Sequence, residues 1–260
     1  MHGKWLDKKV REYLEQYDSE PLYLSLVGSR MKDMHSPESD FDVKCAYIKP
    51  LESYLTLDMK RKDTLPETTF FGYGEEYNVS FIDISKFLHM VSKSNLTAFE
   101  MLSPHFVTCA HMLVNLWHYR TRYFGTKELF YQSSRQSHNL LNRFYVESIE
   151  TQTKTLAASV YAMLQAINFQ NYGSCFYPTV YTDLIFLADV QYKSRMTELF
   201  YAKKNNIVFN PTADFLDYLE VMNHSFKVFD TSKLSVVDTK EELDKLFFDV
   251  VTHNALVFDY

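Results

Sequence analysis

Leu26-Val27-Gly28-Ser29-Arg30, followed by Ser39-Asp40-Phe41-Asp42-Val43, is the stretch that decides the fold. An apolar run from Leu22 to Val27 ends in a Gly-Ser turn, and a second run, Val43 to Ile48, follows the two aspartates. Both runs read as short strands. Residues i and i+2 of a strand share a face, so Asp40 and Asp42 present their carboxylates side by side, toward the turn at Gly28 and Ser29. Carboxylates that close repel unless a cation lies between them. A hard divalent ion with oxygen ligands, Mg²⁺ first, meets that need. The Gly-Ser turn offers backbone N–H groups and a hydroxyl to an anion. Each half is common in loops by itself. Together, between two apolar strands, they point to phosphoryl or nucleotidyl transfer.

Working outward, Lys4 to Gln16 carries apolar Trp5, Val10, Tyr13 and Leu14 among charges, a short amphipathic helix. Thr68 to Tyr77 is aromatic with Gly72-x-Gly74. No helix follows it directly, so it reads as a hairpin turn rather than a dinucleotide fingerprint. Tyr77 to Ile84 is a third strand. From Ser85, placed as a helix cap, the pattern turns helical. Helices are expected over 86–94, 96–102, 112–119, 127–143, 145–170, 181–189, 193–205 and 212–229. Asp238-Thr239 with Glu242 resembles a capping box before a last helix to about residue 252. The fold class is therefore α+β: a small mixed sheet followed by an all-helical region.

At 260 residues the chain has room for one large domain or two small ones. There are 21 Phe and 19 Tyr but only 6 Gly, which favours long regular elements and a heavily packed helical core. A net charge of −6 weighs against non-specific nucleic-acid binding, which depends on Lys and Arg neutralising phosphates. Cys45, Cys109 and Cys175 are odd in number and far apart. They form neither a disulfide framework nor a zinc spacing, and no disulfide-linked partner is expected. No apolar run reaches membrane-spanning length, and the first residues form no apolar signal segment. A cytoplasmic protein without a membrane partner is expected.

With these residues in hand, Leu26-Val27-Gly28-Ser29-Arg30 and Ser36-Pro37-Glu38-Ser39-Asp40-Phe41-Asp42-Val43 resemble the nucleotidyltransferase signature of the DNA polymerase beta superfamily. Further segments resemble its RNA-repair-linked, RlaP-like group of bacteria and tailed phages: Tyr47-Ile48-Lys49-Pro50, Ile84-Ser85-Lys86-Phe87-Leu88, and Phe99-Glu100-Met101-Leu102-Ser103-Pro104. The resemblance spans about residues 22–105. It implies a nucleotidyltransferase domain over 1–105 and a helical domain over 106–260 that covers the cleft. It also implies transfer of a nucleotidyl group from a nucleoside triphosphate to an acceptor hydroxyl, with release of pyrophosphate. The acceptor would be an RNA 3′ end, tRNA included, a protein or a small molecule.

In that scheme Gly28 and Ser29 hold the β- and γ-phosphates, and Arg30 positions a phosphate or braces the loop. Asp40 and Asp42 are catalytic and bind Mg²⁺, with Mn²⁺ as its substitute. Lys44, of the same strand parity as Asp42, reaches the triphosphate. The superfamily adds a third carboxylate on a later strand, and alignment puts that position at Asn78. Asn offers a carbonyl ligand but takes no proton. Glu76 shares its face with Asn78 and is another candidate for the third ligand. Asp83 has the opposite parity and serves either as the third ligand, across a bulge, or as a cap. The alternative to an enzyme is a nucleotide- or partner-binding module that has lost the third acid.

Overall fold

A computed structural model describes residues 2–55, 65–103, 106–172 and 180–255. In chain order the elements are α1 (Gly3–Leu14), β1 (Glu20–Leu26), α2 (Gly28–Met31), β2 (Phe41–Ile48), α3 (Glu52–Leu55), β3 (Thr68–Gly72), β4 (Glu75–Asp83), α4 (Ile84–Ser92), α5 (Leu96–Met101), β5 (Phe106–Cys109) and α6 (Val114–His118). Then follow α7 (Thr126–Phe144), α8 (Ile149–Tyr172), α9 (Tyr181–Leu184), α10 (Val190–Lys204), α11 (Ala213–Val228) and α12 (Lys240–Ala255). The expected α+β class is the one observed, with a mixed sheet first and helices after it. The chain divides into two compact units, Met1–Gly28 with Asp40–Tyr123 and Asp238–Tyr260, and Ser29–Ser39 with Phe124–Val237.

The first unit is built on a sheet of order β3-β4-β2-β1-β5. β2 and β4 run parallel, and the other neighbours are antiparallel. One face is apolar by simple alternation: Phe41, Val43, Cys45 and Tyr47 of β2 lie beside Tyr77, Val79 and Phe81 of β4. α1 covers that face with Leu6, Val10 and Leu14, spaced by one helical turn and fully buried. Each such side chain contributes about 1.5–3 kcal/mol on burial. β3 and β4 join through Tyr73 and Gly74, both at positive φ (57° and 79°), so the Gly72-x-Gly74 stretch is a two-residue hairpin turn. Gly72 is needed for close packing rather than for backbone freedom. A Cβ there would lie 2.3 Å from the Trp5 ring.

Three local assignments change. Phe106–Cys109, in the stretch read as the start of the helical region, is an edge strand paired with β1. It is four residues long, too short for periodicity to mark. α4 is capped by Asp83 rather than Ser85, because the Asp83 carboxylate accepts from the Ser85 N–H at 2.8 Å. At α12, Glu242 accepts from Tyr123 Oη at 2.8 Å and pairs with Arg122, instead of closing a capping box. α12 thereby belongs to the first unit, where Phe247 packs edge-on against Tyr54.

The second unit is helical. α7 and α8 pack along their length, α8 burying Leu156, Val160, Met163, Leu164 and Ile167. α10 and α11 add Met196, Leu199, Phe200, Phe215 and Leu219 to the same core. The segment 29–39 is part of this unit: Tyr181 N–H donates to Lys32 O at 3.1 Å, and Lys203 Nζ to Met34 O at 3.1 Å.

Candidate active site

The second face of the sheet changes character along its length. Toward the β4 C-terminus it is apolar, with Ala46, Ile48 and Ile82 buried, and Phe87, Leu88 and Val91 of α4 are buried as well. Toward the N-terminal ends of β2 and β4 it is polar. The parallel register sets Asp42 opposite Asn78 and Lys44 opposite Ser80. By the same alternation Asp40, immediately before β2, and Glu76 of β4 share that face.

Hydrogen bonds tie this ladder together. Asn78 Nδ2 donates to Asp40 Oδ2 at 2.5 Å and to Glu76 Oε1 at 3.2 Å. Thr69 Oγ1 of β3 donates to Asn78 Oδ1 at 2.7 Å. The Asn78 amide thus lies between two carboxylates that would otherwise repel, a position suited to a group of positive character. Lys44 Nζ donates to Ser80 Oγ at 3.1 Å, one step along the same face.

Gly28 closes the site from the β1 side. Val27 N–H donates to Asp42 O at 2.9 Å, carrying the strand pairing to the edge of the turn. Gly28 then takes φ +70°, and a Cβ built on it would stand 2.2 Å from Asp42 Oδ2. The carboxylate therefore lies directly over the glycine Cα. A cavity of about 230 Å³ is lined by Gly28, Asp42, Lys44, Asn78 and Ser80, with Glu67, Thr97 and Glu100 on its walls. Glu67 and Glu100 escaped the sequence reading. Glu67 precedes β3 by one residue and reaches this face only through β3–β4 pairing, while Glu100 arrives on α5.

Ser29 and Arg30 belong to the second unit. Ser29 O accepts from Met34 N–H at 2.8 Å, and Arg30 Nε donates to Ser39 O at 3.0 Å, which ties the two ends of the 29–39 loop together. Asp83 lies apart from the ladder. Its carboxylate accepts from Ser85 N–H and Oγ and, at 2.9 Å, from Tyr54 Oη. Burial and then the neighbouring Asp83 charge push the Tyr54 hydroxyl well above the usual phenol range. Asp83→Ala is expected to lower stability by about 0.5–2 kcal/mol through loss of the cap. The thermal unfolding midpoint checks this, and an unchanged midpoint would remove the capping role.

The ladder's donor set is all oxygen apart from the amide nitrogen, the chemistry that suits Mg²⁺ or Mn²⁺. Turned end for end, the Asn78 amide would present Oδ1 to the side where Asp40 lies. Among the described residues no three His, Cys, Asp or Glu side chains already converge as a metal cluster. An ion would take its place with Asp40 and Asp42 as its charged ligands. Neither described cysteine is disulfide-bonded. Burial holds the Cys45 thiol far above its ordinary range and Cys109 at about 11, so neither is a nucleophile at neutral pH. Cys175 lies outside the described residues.

A model of the RNA repair pathway DNA polymerase beta family, RlaP, matches residues 3–249. The chain belongs to this family. The match extends beyond residues 22–105, where the signature segments lie, through nearly all of the helical part. No curated protein matches the chain. Among solved structures, a nucleotidyltransferase-like protein from Exiguobacterium sibiricum 255-15 is similar at 9% identity, covering 85% of this chain and 78% of its own, with a TM-score of 0.31. No helix among the described residues is long and apolar enough to cross a membrane.

Proposed function

We propose that this RlaP-family protein is a divalent-metal-dependent nucleotidyltransferase, a cytoplasmic enzyme of bacteria or phage-infected cells. The observation that carries this reading is the single polar face on which Asp40, Asp42, Asn78 and Glu76 adjoin, beside a glycine that leaves room for nothing larger. Asp40 and Asp42 would hold Mg²⁺, or Mn²⁺ in its place. When bound, such an ion neutralises charge on the triphosphate and on the leaving group. Gly28 and Ser29 would supply backbone N–H groups to the phosphates, and Lys44 a positive charge. In the reaction the acceptor oxygen forms a bond to the α-phosphorus, the bond from that phosphorus to the β-phosphate oxygen breaks, and pyrophosphate leaves. The acceptor proton needs a base, and Asn78 is not one. Glu76, held to Asp40 through the Asn78 amide, is the carboxylate on this face that would take it. The acceptor is a hydroxyl of RNA, of a protein or of a small molecule.

The second reading is a nucleotide-binding module without transfer. The observation favouring it is that Asn78, at the position of the third acid, makes a bond to Asp40 that an Asp side chain there would not. Incubation with each nucleoside triphosphate labelled at the α-phosphate, with Mg²⁺ and with EDTA, separates the two. Metal-dependent covalent label on RNA or protein supports the enzyme. Tight nucleotide binding with no label, restored to transfer by Asn78→Asp, supports the module.

A further inference from the structure

Ser80 stands in the ladder between a cation and a carboxylate. Its register partner on β2 is Lys44, whose ammonium donates to Ser80 Oγ at 3.1 Å. On the other side β3 and β4 pair at Thr68↔Val79 and Thr69↔Asn78, and one more step of that register sets Glu67 across from Ser80. Directly opposed residues of an antiparallel pair have Cβ atoms about 4.5–5.5 Å apart. Lys44, Ser80 and Glu67 thus form one row across β2, β4 and the start of β3. All three line the cavity of about 230 Å³ that also holds Gly28 and Asp42, and all five residues belong to the first unit. A serine hydroxyl has one proton to give and two lone pairs. The Thr69 hydroxyl has already given its proton to Asn78 Oδ1. Ser80 Oγ accepts from Lys44, and among the described residues no hydrogen bond takes the Ser80 proton. A hydroxyl held by a cation and facing a carboxylate is the arrangement of a nucleophile with its base. Lys44 keeps two further N–H donors, so the ammonium that would face a bound phosphate also brings Ser80 beside it.

We propose that Ser80 is itself an acceptor: when no other hydroxyl is offered, the protein transfers a nucleotidyl group to its own Ser80. This rests on the proposed nucleotidyl transfer and adds to it a modification site inside the same cavity. Ser80 Oγ forms a bond to the α-phosphorus, the bond from that phosphorus to the β-phosphate oxygen breaks, and pyrophosphate leaves with the electron pair. The hydroxyl proton passes to Glu67, which serves Ser80 as Glu76 would serve an external acceptor. The attached group then blocks the cavity, so each molecule takes up one nucleotidyl group and no more.

The test uses the full chain with Mg²⁺ and each nucleoside triphosphate in turn, labelled at the α-phosphate, alone and with total cellular RNA and protein added. The chain alone is expected to gain the mass of one nucleotidyl group, and fragmentation of its peptides to place that group on Ser80. Ser80→Ala should lose the label with an unchanged melting curve, and Ser80→Thr, which keeps a hydroxyl, should retain it. Glu67→Gln should slow self-labelling about 10²-fold, the effect of losing a general base. Label on Thr97 or another residue instead of Ser80, or labelling of Ser80→Ala at the wild-type rate, overturns the proposal. Label on the added RNA or protein with none on the chain also overturns it and leaves nucleotidyl transfer standing. No label on any of them overturns both.

Discussion

Asp40→Asn combined with Asp42→Asn is expected to abolish transfer of a label from the α-phosphate, a loss of roughly 10³-fold or more. Both substitutions keep side-chain volume and the capacity to accept a hydrogen bond. The bond from the Asn78 amide to residue 40 can persist through the remaining carbonyl oxygen, so thermal unfolding should change little. What disappears is the paired negative charge that would hold a divalent ion. The two single variants should differ in how much they lose, because Asp40 shares Asn78 with Glu76 whereas Asp42 lies against Gly28. Label transfer by the double variant at the wild-type rate would refute the metal assignment. A loss of transfer together with a loss of fold would be visible as a shifted melting curve, and would assign the effect to stability instead.

Gly28→Ala carries the second large effect. The residue has φ +70°, where an L side chain costs about 1–2 kcal/mol. The added Cβ would also stand 2.2 Å from Asp42 Oδ2 and 3.0 Å from Asp42 Cβ and Cγ. Asp42 Cβ is fixed to β2 by strand pairing, so rotation of the carboxylate alone does not relieve the overlap. Either the turn or the strand end has to move. A fall in stability of about 1–3 kcal/mol is expected from the denaturation midpoint. Label transfer should fall with it, by more than the stability loss explains at temperatures where the variant is fully folded. Full transfer by a folded Gly28→Ala would mean that the contact between the turn and Asp42 is incidental to the chemistry.

The sheet was legible because strands write themselves in a period of two. Phe41, Val43, Cys45 and Tyr47 alternate with Asp42 and Lys44, and that alternation alone separates the face under α1 from the face that carries the aspartates. α1 was equally plain, its apolar residues recurring at helical spacing among charges. The turn at Gly28 and the hairpin at Tyr73-Gly74 were marked by glycine, whose freedom at positive φ is a local property. The role of Asp83 was not legible. Cap and ligand are both consistent with an acid between a strand and a helix, and only the bonds to Ser85 and Tyr54 distinguish them.

The sequence by itself determined that Asp40 and Asp42 share one face at the start of a strand, next to the Gly-Ser turn that ends another, because side-chain direction on a strand and backbone freedom at glycine depend on neighbouring residues only. The tertiary structure decided what those carboxylates meet. The parallel register of β2 and β4 puts Asn78 opposite Asp42 and brings its amide to Asp40 and Glu76, across 38 residues of chain in the first case. β3 adds Thr69 and Glu67, and α5 adds Glu100. Strand register and helix docking are fixed by burial of the apolar face as a whole, a sum over residues distant in sequence. No local pattern contains that sum, so the fourfold neighbourhood of Asp40, Asp42, Asn78 and Glu76 exists only once the sheet has formed.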